Sequence, residues 1–257
     1  MITPRNAARD AWNKAALTKH CQITGNRKYI VDAEDYLANS GETLNNKTRK
    51  AVASLSDDAT KPLKHEVEIA IGMKAMVVLN ISIEADVANG TRGTVTGITL
   101  DPRERNIQPK RDGHVHLRFP PAVIYFKPDR QTNITFEGIT PGVIPLLPSQ
   151  IRFNVEVDGK RTRIERRQIA IIAGYAFTDY KGQGQTIDYL LVDIAKPATG
   201  KLSPFSVYVA LSRSKGRNNI RILRDFDESI FMFHPSEDLR TEMIRLEALD
   251  QQTKRRF

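Results

Sequence analysis

The 257-residue chain has room for one large domain or two modest ones. Its 40% hydrophobic and 27% charged residues are ordinary globular values that exclude wholesale disorder. No apolar run approaches the length of a membrane span, Met1 to Arg9 lacks the apolar stretch of a secretion signal, and the single Cys21 excludes a disulfide framework or a Cys-rich zinc centre. Thirty-nine Lys and Arg against 30 Asp and Glu leave a net charge of +9, which suits a polyanionic partner because neutralised phosphates release condensed counterions. The expected compartment is intracellular, with the nucleus ahead of the cytosol.

In chain order, Arg5 to His20 reads as a helix, with Ala8, Trp12, Ala15 and Ala16 at three- and four-residue intervals and Pro4 suited to a first turn. Only three residues precede Pro4, so the chain reads as beginning in the middle of a fold. Residues 37–66 read as loop with a short helix. Ile69 to Asn80 is strand-like with a break at Gly72, Val87 to Thr91 is a turn, and Arg92 to Leu100 is again strand-like. Short β-rich pieces then follow at 114–119, 122–126, 133–139 and 151–157, separated by Pro, Gly and Asp. This texture predicts a small antiparallel barrel or sandwich, bordered by basic clusters at 103–111 and 160–167.

After Arg167 the texture becomes α/β. Gln168 to Phe177 and Asp188 to Ile194 read as buried strands, Phe205 to Arg213 as a helix and Asn219 to Leu223 as a closing strand, which together argue for a parallel sheet. The last twenty residues form an amphipathic helix with Leu239, Met243, Leu246 and Leu249 on one side. The predicted organisation is an α/β domain split in sequence (1–90 and 168–235), a β-rich insertion at 91–167, and a C-terminal helix over 236–257.

The most informative stretch is Ala176 to Thr186, AFTDYKGQGQT. It follows an apolar strand, and the carboxyl ends of strands are where open α/β sheets place ligands. Gly182 and Gly184 let backbone N–H groups approach phosphate oxygens. Thr178, Gln183, Gln185 and Thr186 supply neutral donors, and Lys181 a point charge. A second stretch, VYVALSR at 207–213, ends a helix on Arg213, and an arginine so placed can stabilise charge on a transferring phosphoryl group.

Together these two stretches, separated by one strand, resemble the fifth and sixth motifs of superfamily-one helicases. The wording AFTDYKGQGQT followed by VYVALSRSKGRNNIRIL is similar to Pif-one-like (petite integration frequency) DNA helicases, especially the forms carried by Helitron transposons. ITPRNAARDAWN at 2–13 is similar to the fourth motif region, and residues 76–95 to the strand and Asn-Gly turn before the family's inserted barrel. The resemblance covers roughly 1–100 and 165–225. It implies a RecA-like second motor domain interrupted by a β-barrel of Src-homology type, working with ATP and Mg²⁺ on single-stranded DNA or DNA junctions with 5′-to-3′ polarity. Carried over by position, Thr178 contacts a DNA phosphate with Tyr180 and Lys181 beside it. Gln183, Gly184 and Thr186 lie toward nucleotide, Arg213 is the finger onto the γ-phosphate, and Arg5 also approaches nucleotide. Tyr180 departs from the family's usual His or Asn, and Gly182 from its Ser or Ala.

The phosphate-binding lysine loop and the acidic pair for Mg²⁺ are not found in this sequence, so the chain is expected to be the second half of a motor that hydrolyses no ATP alone. Its missing partner would be the first RecA-like domain. Gly41 to Thr48 imitates the lysine loop but has Asn46 in place of the second glycine. Tyr29 to Asp35 imitates a strand ending in an acidic pair but reads better as a linker. His114 and His116 share a strand face without a spaced metal partner. The rival reading is a non-enzymatic DNA-binding or partner module derived from such a helicase. The choice among telomere, repair, recombination and transposition pathways, and the oligomeric state, are left open.

Overall fold

The structure, a computed structural model, describes residues 1–55, 62–82, 87–105, 107–130, 134–196, 202–232 and 236–256. Of the segments read above, 56–61, 83–86, 106, 131–133, 197–201, 233–235 and 257 lie outside the described residues. In chain order the elements are α1 (Asn6–Thr24), β1 (Tyr29–Asp32), β2 (Glu34–Leu37), α2 (Asn46–Ala53), β3 (Glu66–Ile69), β4 (Lys74–Val77) and β5 (Arg92–Thr99). There follow β6 (Val115–Leu117), β7 (Val123–Pro128), β8 (Ile144–Leu146), β9 (Ser149–Val157), β10 (Lys160–Gln168) and β11 (Ile171–Ala173). The remainder comprises α3 (Asp179–Gly182), β12 (Leu190–Val192), α4 (Pro204–Leu211), β13 (Ile220–Ile222) and α5 (Glu237–Arg256). Two compact units result, one of Asn6–Phe177 and the other of Met1–Arg5 with Thr178–Phe257. The boundaries read from sequence at 90/91 and 167/168 fall inside the first of these.

In the Asn6–Phe177 unit, β11, β4, β5, β7 and β8 form a five-stranded antiparallel sheet in that order. A three-stranded sheet has β1 at its centre, antiparallel to β3 and parallel to β6, and an antiparallel sheet runs β2-β10-β9. The inward residues of the first two sheets and Leu17 of α1 share one core with Val31, Ile69, Val77, Val95, Leu117, Ile124 and Phe126. The third sheet has its own core, in which Leu44 and Val52 of α2 lie against Phe153, Val155 and Ile164. β9 and β10 pair over nine residues each around Asp158-Gly159, whose φ values of 53° and 69° give the turn the twist that a two-residue hairpin needs.

Several elements differ from the sequence reading. The strands of 91–167 do not segregate: β5, β7 and β8 share a sheet with β4 and β11, β6 pairs with β1, and β9 and β10 pair with β2. Gln168 to Phe177 contributes the last residue of β10 and the short β11, antiparallel to β4, because an apolar run buried on both faces carries no signal of strand direction. Ile69 to Asn80 splits into the end of β3 and β4, and the described part of 133–139 contains a turn in place of a strand. Helix α1 forms as expected, but its buried residues are Asn13 and Leu17 rather than the alanine and tryptophan positions. Asn13 clamps the chain after β11, donating to the Ala176 carbonyl and accepting from the Tyr175 and Ala176 N–H groups at 2.8–3.0 Å.

Tyr29 to Asp35 is two strands rather than a linker, and its acidic pair meets the basic cluster of β10. Asp35 lies opposite Arg166, and Glu34 opposite Arg167, in the β2–β10 register. Arg166, fully buried, donates to both Asp35 oxygens at 2.7 and 2.8 Å and to the Leu63 carbonyl. Glu34 accepts from Arg103, Arg167 and Tyr36, while Arg103 also forks onto Asp101. Within the basic clusters at 103–111 and 160–167, Arg103, Arg166 and Arg167 are therefore partners of buried acids.

The same network sets a pH dependence. Burial pushes the Glu34 and Asp35 carboxyls up, but bonds from Arg103, Tyr36 and Arg167, and from Arg166 and His65, outweigh it, so both titrate below the usual range. Bonds from Arg103 hold Asp101 at about 2. Groups depressed in the folded state add stability above their unfolded values and lose it as pH falls through the folded ones. The urea midpoint should thus hold steady above about pH 5 and fall steeply from about pH 4 to 2. A flat profile across that window would show that the acids add nothing.

Candidate functional site

The Met1–Arg5 and Thr178–Phe257 unit is built on parallel strand pairing. β12 pairs with β13, and Ile2 bridges Val192 on the other edge, all parallel. Thr3 to Arg5, Asp193, and Leu223-Arg224 therefore leave adjacent strands at their carboxyl ends, the edge where parallel sheets present ligand-binding groups. Helix α4 starts on Pro204 with Ser203 capping the Ser206 N–H, buries Val207, Val209 and Ala210, and closes at Ser212, so the next residue, Arg213, emerges from its last turn.

Arg213 is brought onto the 182–185 bend. The Ile187 N–H donates to the Arg213 carbonyl at 2.9 Å and Ile187 bridges Ser214 in parallel, which pins the two segments together. The guanidinium donates to the Gln185 carbonyl at 3.4 Å, the Val209 carbonyl at 3.0 Å and Ser212 Oγ at 2.8 Å. A side chain at Gly182 would meet Ile2 Cδ1 at 3.0 Å and Arg213 Cγ at 3.9 Å, so glycine here permits close approach of the bend to both. Gly184 has φ 75° with open space around it, a left-handed turn that exposes Gln183, Gly184 and Thr186 to solvent.

Thr178 is the N-cap of α3, yet its side chain makes no capping bond. Tyr180 is 74% exposed, and its ring lies 6.5 Å from that of Phe205 at the start of α4. Lys181 is half-buried, and its carbonyl accepts from the Gln185 amide. The unit thus gathers Arg213, Gln183, Gly184 and Thr186 at one bend, with Thr178, Tyr180 and Lys181 on the short helix leading into it.

Arg5 stands apart, tied to the buried Asp193 carboxylate. Its Nη2 donates to Asp193 Oδ2 at 3.3 Å, and Thr3 Oγ1 donates to the same oxygen at 3.2 Å. Arg224 approaches with both Nε and Nη2, at 2.9 and 3.2 Å. Burial pushes this carboxyl up, but Arg224, the Ala195 N–H and Arg5 together bring it below the usual range. Sequence reasoning missed Asp193 and Arg224. The available signal was an acid ending the apolar run LLV, which requires a cationic partner if buried. Replacing Asp193 by Ala removes the anion shared by two half-exposed guanidinium groups. It should cost about 1–3 kcal/mol in urea unfolding, and a loss below 0.5 kcal/mol would mean the cluster is ornamental.

Among the described residues no three His, Cys, Asp or Glu side chains gather as a metal site. His116 pairs with Asp112 at 2.7 Å, an acidic partner the sequence reading did not assign. Gly41 to Thr48 leads into α2 with Asn45 capping the Thr48 N–H, so that helix end is closed by its own side chain.

No family model matches the chain. Among curated proteins it is similar to ATP-dependent DNA helicase PIF1 of Homo sapiens, 26% identical over 171 residues, covering 66% of this chain and 21% of that protein. The protein of the same name from Emericella nidulans is 29% identical over 126 residues, covering 49% of this chain and 15% of its own length. Among solved structures it is similar to Pif1 helicase from Candida albicans, with TM-score 0.60 and 19% identity over 96% of this chain and 49% of that one. Pif1 helicase from Bacteroides in complex with ADP-AlF3 and ssDNA gives TM-score 0.57 and 17% identity over 96% and 44%. The chain spans about a fifth of the length of the curated relatives it matches. It is homologous, at low identity, to Pif1 helicases, and it shares the mixed α/β fold of part of their structures.

Proposed function

We propose that this chain is the second motor-domain portion of an ATP-dependent 5′-to-3′ DNA helicase of the Helitron-associated, Pif-one-like type. The carrying observation is the placement of Arg213 on the bend that exposes Gln183, Gly184 and Thr186, in a chain homologous to Pif1 helicases. We take the parallel strands of the Met1–Arg5 and Thr178–Phe257 unit as the RecA-like core, and the five-stranded antiparallel sheet as the counterpart of the Src-homology-type barrel.

In this reading ATP with Mg²⁺ supplies the phosphoryl group whose transfer drives movement, and the Mg²⁺ ligands and lysine loop come from a first RecA-like domain. This chain's part is to sense and grip. Gln183, the Gly184 backbone and Thr186 hydrogen-bond phosphate oxygens at the bend, where neutral donors and Arg213 converge. Arg213 leaves its helix-end acceptors and neutralises charge developing on the γ-phosphoryl oxygens. Thr178 offers its uncapped hydroxyl to a DNA phosphate, Lys181 adds charge beside it, and Tyr180 stacks on a base of the single strand, a contact worth about 1–3 kcal/mol. Arg5 reaches nucleotide only by leaving Asp193, which Arg224 then still neutralises. Two solved relatives bind single-stranded DNA, which supports the choice of DNA as partner.

The test is a fluorescence titration of a single-stranded oligonucleotide with this chain, alone and with a lysine-loop domain of a Pif1 relative, each with and without a non-hydrolysable ATP analogue. A nucleotide-dependent change in affinity only when both halves are present supports the proposal. Salt-sensitive DNA binding that ignores nucleotide in every arm selects the non-enzymatic module instead. ATP hydrolysis by the purified chain alone, abolished by Arg213→Ala, would overturn the assignment of this chain as the sensing half.

A further inference from the structure

Helix α5 carries exposed apolar side chains along much of its length. All its residues are exposed or half-exposed, including Leu239, Met243, Leu246 and Leu249, which recur at helical spacing along one side. The helix is well specified locally. Ser236 Oγ accepts from the Leu239 N–H, and Glu237–Arg240, Glu242–Arg245 and Asp250–Lys254 pair within it. An apolar seam on so regular a helix asks for a partner surface, and the remaining charges indicate which.

Those charges are segregated. The first turn carries Glu237 and Asp238, and the last carries Lys254, Arg255 and Arg256. Among the described residues Asp238, Arg255 and Arg256 have no ion-pair partner within the chain. Against a parallel copy, acidic turn would meet acidic turn and basic would meet basic. Against an antiparallel copy, each acidic turn meets a basic one. We propose that α5 pairs with the α5 of a second copy of this chain, antiparallel and centred on Leu246.

In that register Leu246 meets its own counterpart, Met243 meets Leu249, Glu237 faces Arg255 and Asp238 faces Lys254. Arg245 faces Glu247, which extends the complementarity past the ends. Glu242 faces Asp250, a repulsion eased by the Arg245 and Lys254 beside them; Glu237, Arg245 and Lys254 are likewise paired within the helix, so the cross-helix attraction rests most on Asp238 and Arg255. The apolar seam supplies the attraction and the end charges fix direction, the division of labour seen in coiled coils.

The test is sedimentation velocity on the full chain at about 1–100 µM in about 50 mM salt, where charge contacts are weakly screened. The expected result is a reversible shift from one-chain to two-chain mass. Met243→Glu with Leu246→Glu should weaken pairing at least tenfold while leaving the thermal transition unchanged, since neither residue lies in a core. Glu237→Lys with Asp238→Lys should weaken it, and mixing that variant with a Lys254→Glu, Arg255→Glu, Arg256→Glu variant should restore a mixed dimer. Direction is read in a Cys21→Ser background. Leu239→Cys together with Thr253→Cys should cross-link between chains, and Leu239→Cys alone should not. A chain that stays monomeric throughout, a dimer indifferent to the glutamate pair, or cross-linking through residue 239 alone would each overturn the proposal.

Discussion

Arg213→Ala is expected to lower ATP turnover of the assembled motor by about 10³-fold or more, the range for an arginine that neutralises a transferring phosphoryl group. Affinity for single-stranded DNA should stay within about twofold, because the residues proposed to face DNA lie at and within α3 and not on α4. The structural cost should be small. The side chain is half-exposed, and its bonds to the Val209 carbonyl and Ser212 Oγ only tidy the end of one helix. Arg213→Lys separates charge from geometry, since an ammonium restores the charge but not the planar fork. Partial recovery by lysine would mean that charge carries most of the effect, and no recovery that the fork does. Turnover unchanged in Arg213→Ala, measured on protein with an unaltered melting transition, would remove Arg213 from the chemistry and with it the central assignment.

The elements of the site were more legible in the sequence than its wiring. Helix α4 announces itself through Ser203, Pro204 and an apolar run, and β12 and β13 through short β-branched and leucine runs, because caps and local patterns act within a few residues. The meeting of Arg213 with the 182–185 bend was foreseeable only from the resemblance, since no spacing rule relates a helix end to a turn one strand upstream. The buried face of α1 was misread because apolar periodicity ignores Asn13, whose burial is stabilised by three backbone hydrogen bonds that exist only once Tyr175 and Ala176 are in place. For the same reason Arg166 and Arg167 read in the sequence only as part of a basic cluster. A strand's register decides which residues face a partner, and the register of β10 against β2 is a tertiary fact. Arg5 shows the complement: its resemblance-based role was nucleotide, while its observed partner is an acid at the end of a strand nearly two hundred residues away.

The buried pair made by that register should carry the largest single contribution to stability outside the apolar cores. Arg166 is fully buried, bonded twice to Asp35, once to the Leu63 carbonyl, and placed 5.1 Å from the Phe153 ring centroid. Arg166→Leu leaves Asp35 as a buried carboxylate whose remaining ion-pair partner among the described residues is His65 Nδ1 at 3.7 Å, and should destabilise by about 3–5 kcal/mol at pH 7. The loss comes from the stranded charge more than from the missing bonds. The double variant Asp35→Leu, Arg166→Leu should therefore recover most of it, as an apolar pair of similar volume often matches a buried ion pair. The sign with pH distinguishes this from simple loss of packing. Without Arg166, Asp35 loses the larger of the two influences that lower its carboxyl, leaving His65 against the upward push of burial, so the single variant's deficit should shrink as pH falls below about 5 and the carboxyl takes up a proton. Urea unfolding of the two variants at pH 7 and pH 4 reads all three quantities. A deficit that is equal at both pH values, or a double variant as unstable as the single one, would place the cost in packing and leave the ion pair without an energetic role.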